Sequence, residues 1–81
     1  MKDLNLLKWR CRRGMKELEA ILTRYLEQNY AQASVMEQQA FVTLLELADI
    51  ELYAYLVGQA VPPEEILAVV SKISQLYWSS T

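Results

Sequence analysis

The chain has 81 residues, 53% of them hydrophobic and only two each Gly and Pro, which is typical of one folded domain over residues 1–81. It has no histidine and one cysteine, which argues against a His-dependent active site, a metal centre and an internal disulfide. Apolar runs fall short of the roughly 20 residues that span a bilayer, and neither a secretory signal nor a Gly-rich phosphate loop is recognisable. We therefore expect a cytoplasmic protein that is not an enzyme, binds no metal and does not insert into membranes.

Charge is distributed unevenly along the chain. Residues 1–24 carry seven bases and three acids, a charge of +4, whereas residues 25–81 carry one base and seven acids, a charge of −6. Such a dipole can orient a partner during encounter. The basic stretch is short and the isoelectric point is about 5.0, so a sustained basic face for nucleic acid is not expected.

The first two predicted helices meet near Gly14. Helix 1 is predicted from about Leu4 to Arg12, because Leu4, Leu7 and Cys11 recur on one stripe at helical spacing. Helix 2 is predicted over residues 15–30. Its apolar face consists of Met15, Leu18, Ile21, Leu22, Tyr25 and Leu26. Cys11 fits its stripe as a small buried hydrophobe, and the alternative is a reactive thiol activated by nearby arginines.

Start and stop signals predict three further helices. Ser34 with Glu37 matches a capping box, which places the start of helix 3 at Ser34. Asp49 is a suitable N-cap for a short helix 4 over residues 50–57, and Gly58 follows as the C′ residue. Residues 62–65, two prolines followed by two glutamates, open helix 5. We predict an all-α, compact five-helix bundle, with enough exposed apolar surface for a monomer or a weak dimer.

The corner between helices 1 and 2 has two interpretations. In the first, Arg12 and Arg13 stabilise the carboxyl end of helix 1, Gly14 makes a turn and Glu17 suits the first turn of helix 2. In the second, Arg13 and Glu17 flank a glycine that lets another backbone approach closely, on a corner already held by two helices. Trp9, nearby, is either an interface aromatic or a cover over the core.

Two motifs resemble one known family. The first motif covers residues 9–19, Trp9-x-Cys11-Arg12-Arg13-Gly14-Met15-Lys16-Glu17-Leu18-Glu19. It is similar to the signature W-x-C-R-R-G-M-[KR]-E-L-[DE] of the succinate dehydrogenase flavinylation and assembly factors. The second runs over residues 44–58, Leu-Leu-Glu-x-x-Asp-x-Glu-Leu-x-x-Tyr-Leu-x-Gly, and resembles the family's L-L-E-x-x-D-x-[DE]-L-x-x-[WY]-L-x-G. The order and separation of the motifs also agree.

The resemblance implies a small five-helix assembly factor that binds the flavoprotein subunit of succinate dehydrogenase, and of fumarate reductase in many bacteria. It promotes covalent attachment of FAD to a histidine of that subunit, so FAD is carried by the partner and this chain holds no cofactor stably. The family's R-G-x-x-E element carries over to Arg13, Gly14 and Glu17, with Arg12 and Trp9 beside it. Arg13 is expected to form charge-assisted hydrogen bonds to the partner, Gly14 to permit close approach, and Glu17 to accept from the partner or orient Arg13.

A second function stays open from the same resemblance. Family members have also been described as antitoxins, so the alternative is a regulatory binding protein that acts on a membrane toxin. Both functions are binding functions, and both need a pre-organised surface rather than catalytic groups.

Overall fold

Five α-helices follow one another in the computed structural model, which describes residues 4–79 without the side chains of Leu4, Trp78 and Ser79. A short 3-10 turn at Tyr30–Gln32 joins the second and third helices. The helices are α1 (Leu4–Arg10), α2 (Lys16–Gln28), α3 (Val35–Leu44), α4 (Asp49–Leu56) and α5 (Glu64–Ser79). The all-α prediction with five helices is confirmed. None of the helices within residues 4–79 is long and apolar enough to cross a membrane.

The core is built around α5, which packs against α2, α3 and α4, while α1 packs against α2. The predicted face of α2 is buried from Leu18 to Leu26, and Met15 packs at its edge. Phe41 of α3 contacts two tyrosine rings, with centroids 4.7 Å from Tyr25 and 5.7 Å from Tyr30. Such tilted aromatic pairs add to the stabilisation that burial alone provides.

Two helix ends follow from local chemistry, as predicted. Ser34 caps α3, because its hydroxyl accepts a hydrogen bond from the Glu37 N–H at 3.1 Å. The Glu37 carboxylate, however, turns to the core and accepts from the Tyr25 hydroxyl, so the capping box is only half formed. Gly58 has a φ of +80° after α4, and the Gln59 N–H donates to the Ala54 carbonyl at 2.8 Å, which is a Schellman ending.

The N-cap prediction for Asp49 is wrong. The N-cap of α4 is Ala48, and Asp49 is the first residue of the helix. Its carboxylate points across the structure to Arg13 and to the Met15 N–H instead of capping its own helix. The physical reason is competition for one carboxylate. A charge-assisted hydrogen bond to a nearly buried guanidinium stabilises the fold more than a hydrogen bond to an amide at an exposed helix start. Helix 1 also ends at Arg10 rather than Arg12.

Loss of the α3 cap should have a measurable cost. Ser34→Ala leaves an amide of the first turn without its acceptor, so the free energy of unfolding should fall by about 1 kcal/mol. Ser71→Ala, at an exposed position within α5, is the matched control and should leave stability unchanged or slightly raised, because Ala is the better helix former. Urea denaturation followed by circular dichroism measures both; equal midpoints for the two variants would contradict the cap.

Candidate functional site

The α1–α2 corner, which we define as Arg12 to Glu17, is shaped first by the end of α1. The amides of Cys11 and Arg12 continue the helical hydrogen bonding for one turn, to the carbonyls of Leu7 and Trp9 at 3.1 Å each. Cys11 is fully buried beneath the corner, as predicted. Burial raises the pKa of its thiol to about 11, so a reactive thiolate is not favoured at neutral pH.

Arg13 points inward from this corner, and only 9% of its side chain is exposed. Its Nη1 donates to the Leu47 carbonyl at 2.6 Å and to Asp49 Oδ1 at 3.2 Å, and its Nη2 donates to the Leu45 carbonyl at 2.5 Å. Those carbonyls belong to the loop that follows α3. A planar fork with several donors suits this task, since one side chain satisfies three acceptors that face it from one direction.

The backbone on both sides of Gly14 is held by carboxylates. Glu19 Oε1 accepts from the Arg13 N–H at 3.3 Å, and Asp49 Oδ2 accepts from the Met15 N–H at 3.3 Å. Met15 is the N-cap of α2, and its N–H is the amide from which a Glu or Gln three residues on accepts in a capping box; here that residue is Leu18, which cannot accept. Asp49 therefore supplies, from another helix, the acceptor that the start of α2 lacks locally.

Gly14 itself is exposed at the tip of the corner. Its φ lies outside the left-handed region, so the backbone conformation does not demand glycine. A Cβ atom built there would lie 3.5 Å from Asp49 Oδ2, which is an ordinary van der Waals distance. The fold thus accepts a small side chain at this position, and the absence of one leaves bare backbone on the surface.

The outer face of the corner carries the other predicted residues. Glu17 is exposed on the first turn of α2 and accepts a hydrogen bond from the Tyr77 hydroxyl of α5 at 3.1 Å. This bond to Glu17 raises the pKa of Tyr77. Trp9 is 65% exposed, and the Arg12 guanidinium lies over its ring, 5.0 Å from the centroid. Trp9 is therefore a surface residue rather than a cover over the core, and its role in an interface stays a prediction.

The structure brings the predicted residues together on two sides of one corner. Trp9, Arg12, Gly14 and Glu17 face outward, whereas the Arg13 side chain faces inward. Sequence reasoning missed three supporting residues, Asp49, Glu19 and Tyr77. The second motif contained Asp49, but its aspartate at a helix start predicted a cap, and nothing local indicated a partner more than 30 residues away.

Metal ions require a set of ligand side chains placed close together. Within residues 4–79, no group of three or more Cys, Asp and Glu residues is arranged to bind a metal ion. The groups that the corner does offer are a bare backbone, a carboxylate and a guanidinium stacked on an indole. This combination is suited to recognising a protein surface.

Comparisons with known proteins agree with the motifs. A family model described as the flavinator of succinate dehydrogenase, Sdh5, matches residues 5–77. The FAD assembly factor SdhE of Methylococcus capsulatus is 42% identical over 71 residues, which cover 88% of this chain and 86% of the relative. Proteins of the same name from Haemophilus ducreyi and Coxiella burnetii are 38% and 37% identical; the alignments cover 90% and 86% of this chain and 93% and 87% of the relatives.

The glycine pair of this chain provides a test of the corner geometry. Gly14→Ala should keep or raise the free energy of unfolding, by up to about 1 kcal/mol, because it restricts the unfolded chain without straining the fold. Gly58→Ala should lower it by about 1–2 kcal/mol, because φ there is +80°. Urea denaturation of both variants decides, and a larger loss for Gly14→Ala than for Gly58→Ala would contradict the geometry.

Two conservative arginine-to-lysine substitutions test whether the inward-pointing guanidinium of Arg13 stabilises the fold. Arg13→Lys keeps the charge but cannot reach Leu45, Leu47 and Asp49 together, so the free energy of unfolding should fall by about 1–3 kcal/mol as carbonyls lose their donor. Arg12→Lys, at the exposed neighbouring position, should change it by less than about 0.5 kcal/mol. Thermal and urea denaturation measure both, and similar losses for the two variants would count against the buried role of Arg13.

Proposed function

The chain belongs to the Sdh5 family, the flavinators of succinate dehydrogenase, and from this premise we propose that it binds the flavoprotein subunit of succinate dehydrogenase. In doing so it promotes covalent attachment of FAD to that subunit. The flavoprotein of fumarate reductase is a second client in the same proposal. The chain acts in the cytoplasm as an assembly factor rather than an enzyme, and FAD stays with the partner.

One observation carries the assignment of the docking surface: Gly14 is exposed, and its own fold does not require a glycine there. Close approach of a second protein does require it, because a partner backbone or side chain can then lie directly on the peptide plane. The corner is also held from below by Arg13 and Asp49, so little freedom remains to be lost on binding.

The residues around Gly14 have distinct roles in this proposal. Glu17 accepts a hydrogen bond from a donor on the flavoprotein, with Tyr77 fixing its carboxylate beforehand. Trp9 and Arg12 add a flat aromatic face with a charge over it, the kind of pair that is enriched in binding hot spots. Arg13 supports the corner from within, and a direct bond from it to the partner would have to share a fork that already binds Leu45, Leu47 and Asp49.

The mechanism we propose is positioning. The chain has no histidine, so the imidazole that receives the flavin belongs to the flavoprotein. Docking at the corner holds the flavoprotein in a conformation in which bound FAD and that side chain are aligned. Alignment alone can accelerate a reaction strongly without any added chemical group.

Substitutions on the outward face should reduce flavinylation without unfolding the chain. Gly14→Arg places a long side chain where the partner lies, and we expect covalent flavin to fall at least about tenfold, the equivalent of roughly 1.4 kcal/mol of binding. Glu17→Ala should reduce it about threefold or more, as loss of a rim acceptor does. In-gel flavin fluorescence of the flavoprotein, co-produced with each variant, measures both.

Matched controls separate damage to the proposed docking surface from the general effect of adding an arginine or removing a carboxylate. Ala60→Arg introduces the same bulk and charge at an exposed site in the α4–α5 connection, and Glu27→Ala removes an exposed carboxylate at the far end of α2. Both should support wild-type flavinylation. Full flavinylation by a folded Gly14→Arg variant would remove this surface from the proposal, and capture of a small membrane protein instead of a flavin-bearing subunit from native lysate would favour the antitoxin function.

A further inference from the structure

We propose that Asp49 is a positioning residue for partner binding, because its carboxylate fixes the Gly14 backbone that meets the flavoprotein. The inference rests on the proposed function and deepens it. It assigns to the second sequence motif a role in docking at the first motif, although Asp49 lies 34 positions after Met15 in the chain.

Both carboxylate oxygens of Asp49 are engaged at the corner. Oδ1 accepts from Arg13 Nη1 at 3.2 Å, and Oδ2 accepts from the Met15 N–H at 3.3 Å. The same Oδ2 is the nearest atom to the position of a Cβ on Gly14, at 3.5 Å. One carboxylate therefore hydrogen-bonds to the residues on both sides of Gly14 and lies on the side of the glycine that a Cβ would face.

The corner depends on outside support because it has no regular structure of its own. Between the end of α1 at Arg10 and the start of α2 at Lys16, the backbone makes turns and bends. The Met15 N–H, at the start of α2, has no acceptor within its own helix, as is general for the first amides of a helix. Asp49 is the first residue of α4, so it ties the corner to a separate rigid element.

Removal of Asp49 takes the ion-pair partner from the nearly buried Arg13 guanidinium and so lowers the stability of the fold, but it leaves other support in place. Without Asp49, Arg13 keeps its bonds to the carbonyls of Leu45 and Leu47, and the apolar core is untouched. A variant at Asp49 should thus remain folded with a looser corner. Ordering that corner again on binding would cost conformational entropy, which lowers affinity without removing any contact to the partner.

The experiment compares Asp49→Ala with Glu51→Ala, which removes a second, exposed carboxylate from the same first helical turn. Binding to purified flavoprotein subunit is titrated at a temperature where circular dichroism shows each variant to be folded. For Asp49→Ala we expect the Kd to rise about tenfold, as for other losses of pre-organisation. Glu51→Ala should stay within about twofold of wild type, as expected for a surface substitution.

Amide hydrogen exchange adds a readout that a general loss of stability would not reproduce. In Asp49→Ala, exchange of the Met15 amide should accelerate about tenfold or more relative to that of Leu22, a core residue of α2 whose amide reports global opening. Equal acceleration of the two amides would show a merely structural role and overturn the inference.

The outcomes distinguish this inference from the function on which it rests. Wild-type affinity of Asp49→Ala, with no binding by Gly14→Arg, overturns the positioning role and leaves the docking surface in place. Wild-type affinity of Gly14→Arg overturns the docking surface itself. If Asp49→Ala does not fold, Asp49→Asn replaces it, since its NH2 group is a donor and takes the place of one of the two oxygens that accept from Arg13 and Met15; unchanged affinity of that variant overturns the inference.

Discussion

The guanidinium of Arg13 connects the α1–α2 corner to the α3–α4 loop and to the start of α4. It leaves the corner after α1, enters the interior and donates to two carbonyls of the α3–α4 loop and to the first residue of α4. A nearly buried cation of this kind needs hydrogen-bond acceptors, and although Nε of Arg13 has no partner, both Nη atoms do, so the corner and the loop must adopt compatible positions. The surface that we assign to docking is shaped by this interior requirement: Gly14 lies at the surface because Arg13, its neighbour, is anchored below.

Aromatic residues in the core fix the position of α2, the helix that follows the corner. Tyr25 is fully buried against Phe41, and its hydroxyl donates to Glu37 at the start of α3. Burial and this hydrogen bond raise the pKa of Tyr25, so the phenol stays protonated and remains a donor. Because α2 is fixed in this way against α3, and also packs against α5, its first turn presents Glu17 in a defined place. The bond from Tyr77 of α5 to Glu17 extends that fixation to the surface.

In the function that we propose, one corner combines structural and binding roles, and the small size of the domain favours that combination. An 81-residue bundle has few buried polar interactions, and much of its apolar surface is already committed to the core. In such a protein the residues that hold a loop in place lie close to the surface that the loop presents. Arg13 and Gly14 are adjacent, yet the Arg13 side chain is nearly buried and Gly14 is exposed, so we propose a structural role for the first and a docking role for the second.

The sequence by itself determined the helices and several of their ends. Apolar spacing predicted the buried face of α2, the hydroxyl of Ser34 predicted the start of α3, and Gly58 predicted the end of α4. Each of these signals acts within about one helical turn, so it can be read from neighbouring residues. The motif also indicated the corner, although helix physics alone could not separate a stabilised turn from a docking site.

Only the tertiary structure decided which way the charged residues of the corner face. Arg13 and Asp49 lie 36 positions apart, and Glu17 and Tyr77 lie 60 apart, so no local pattern could pair them. An aspartate at a helix start has the same sequence signal whether it caps its own helix or reaches another element. What distinguishes the two is the buried guanidinium that packing brings against it, and that neighbour exists only after the chain has folded.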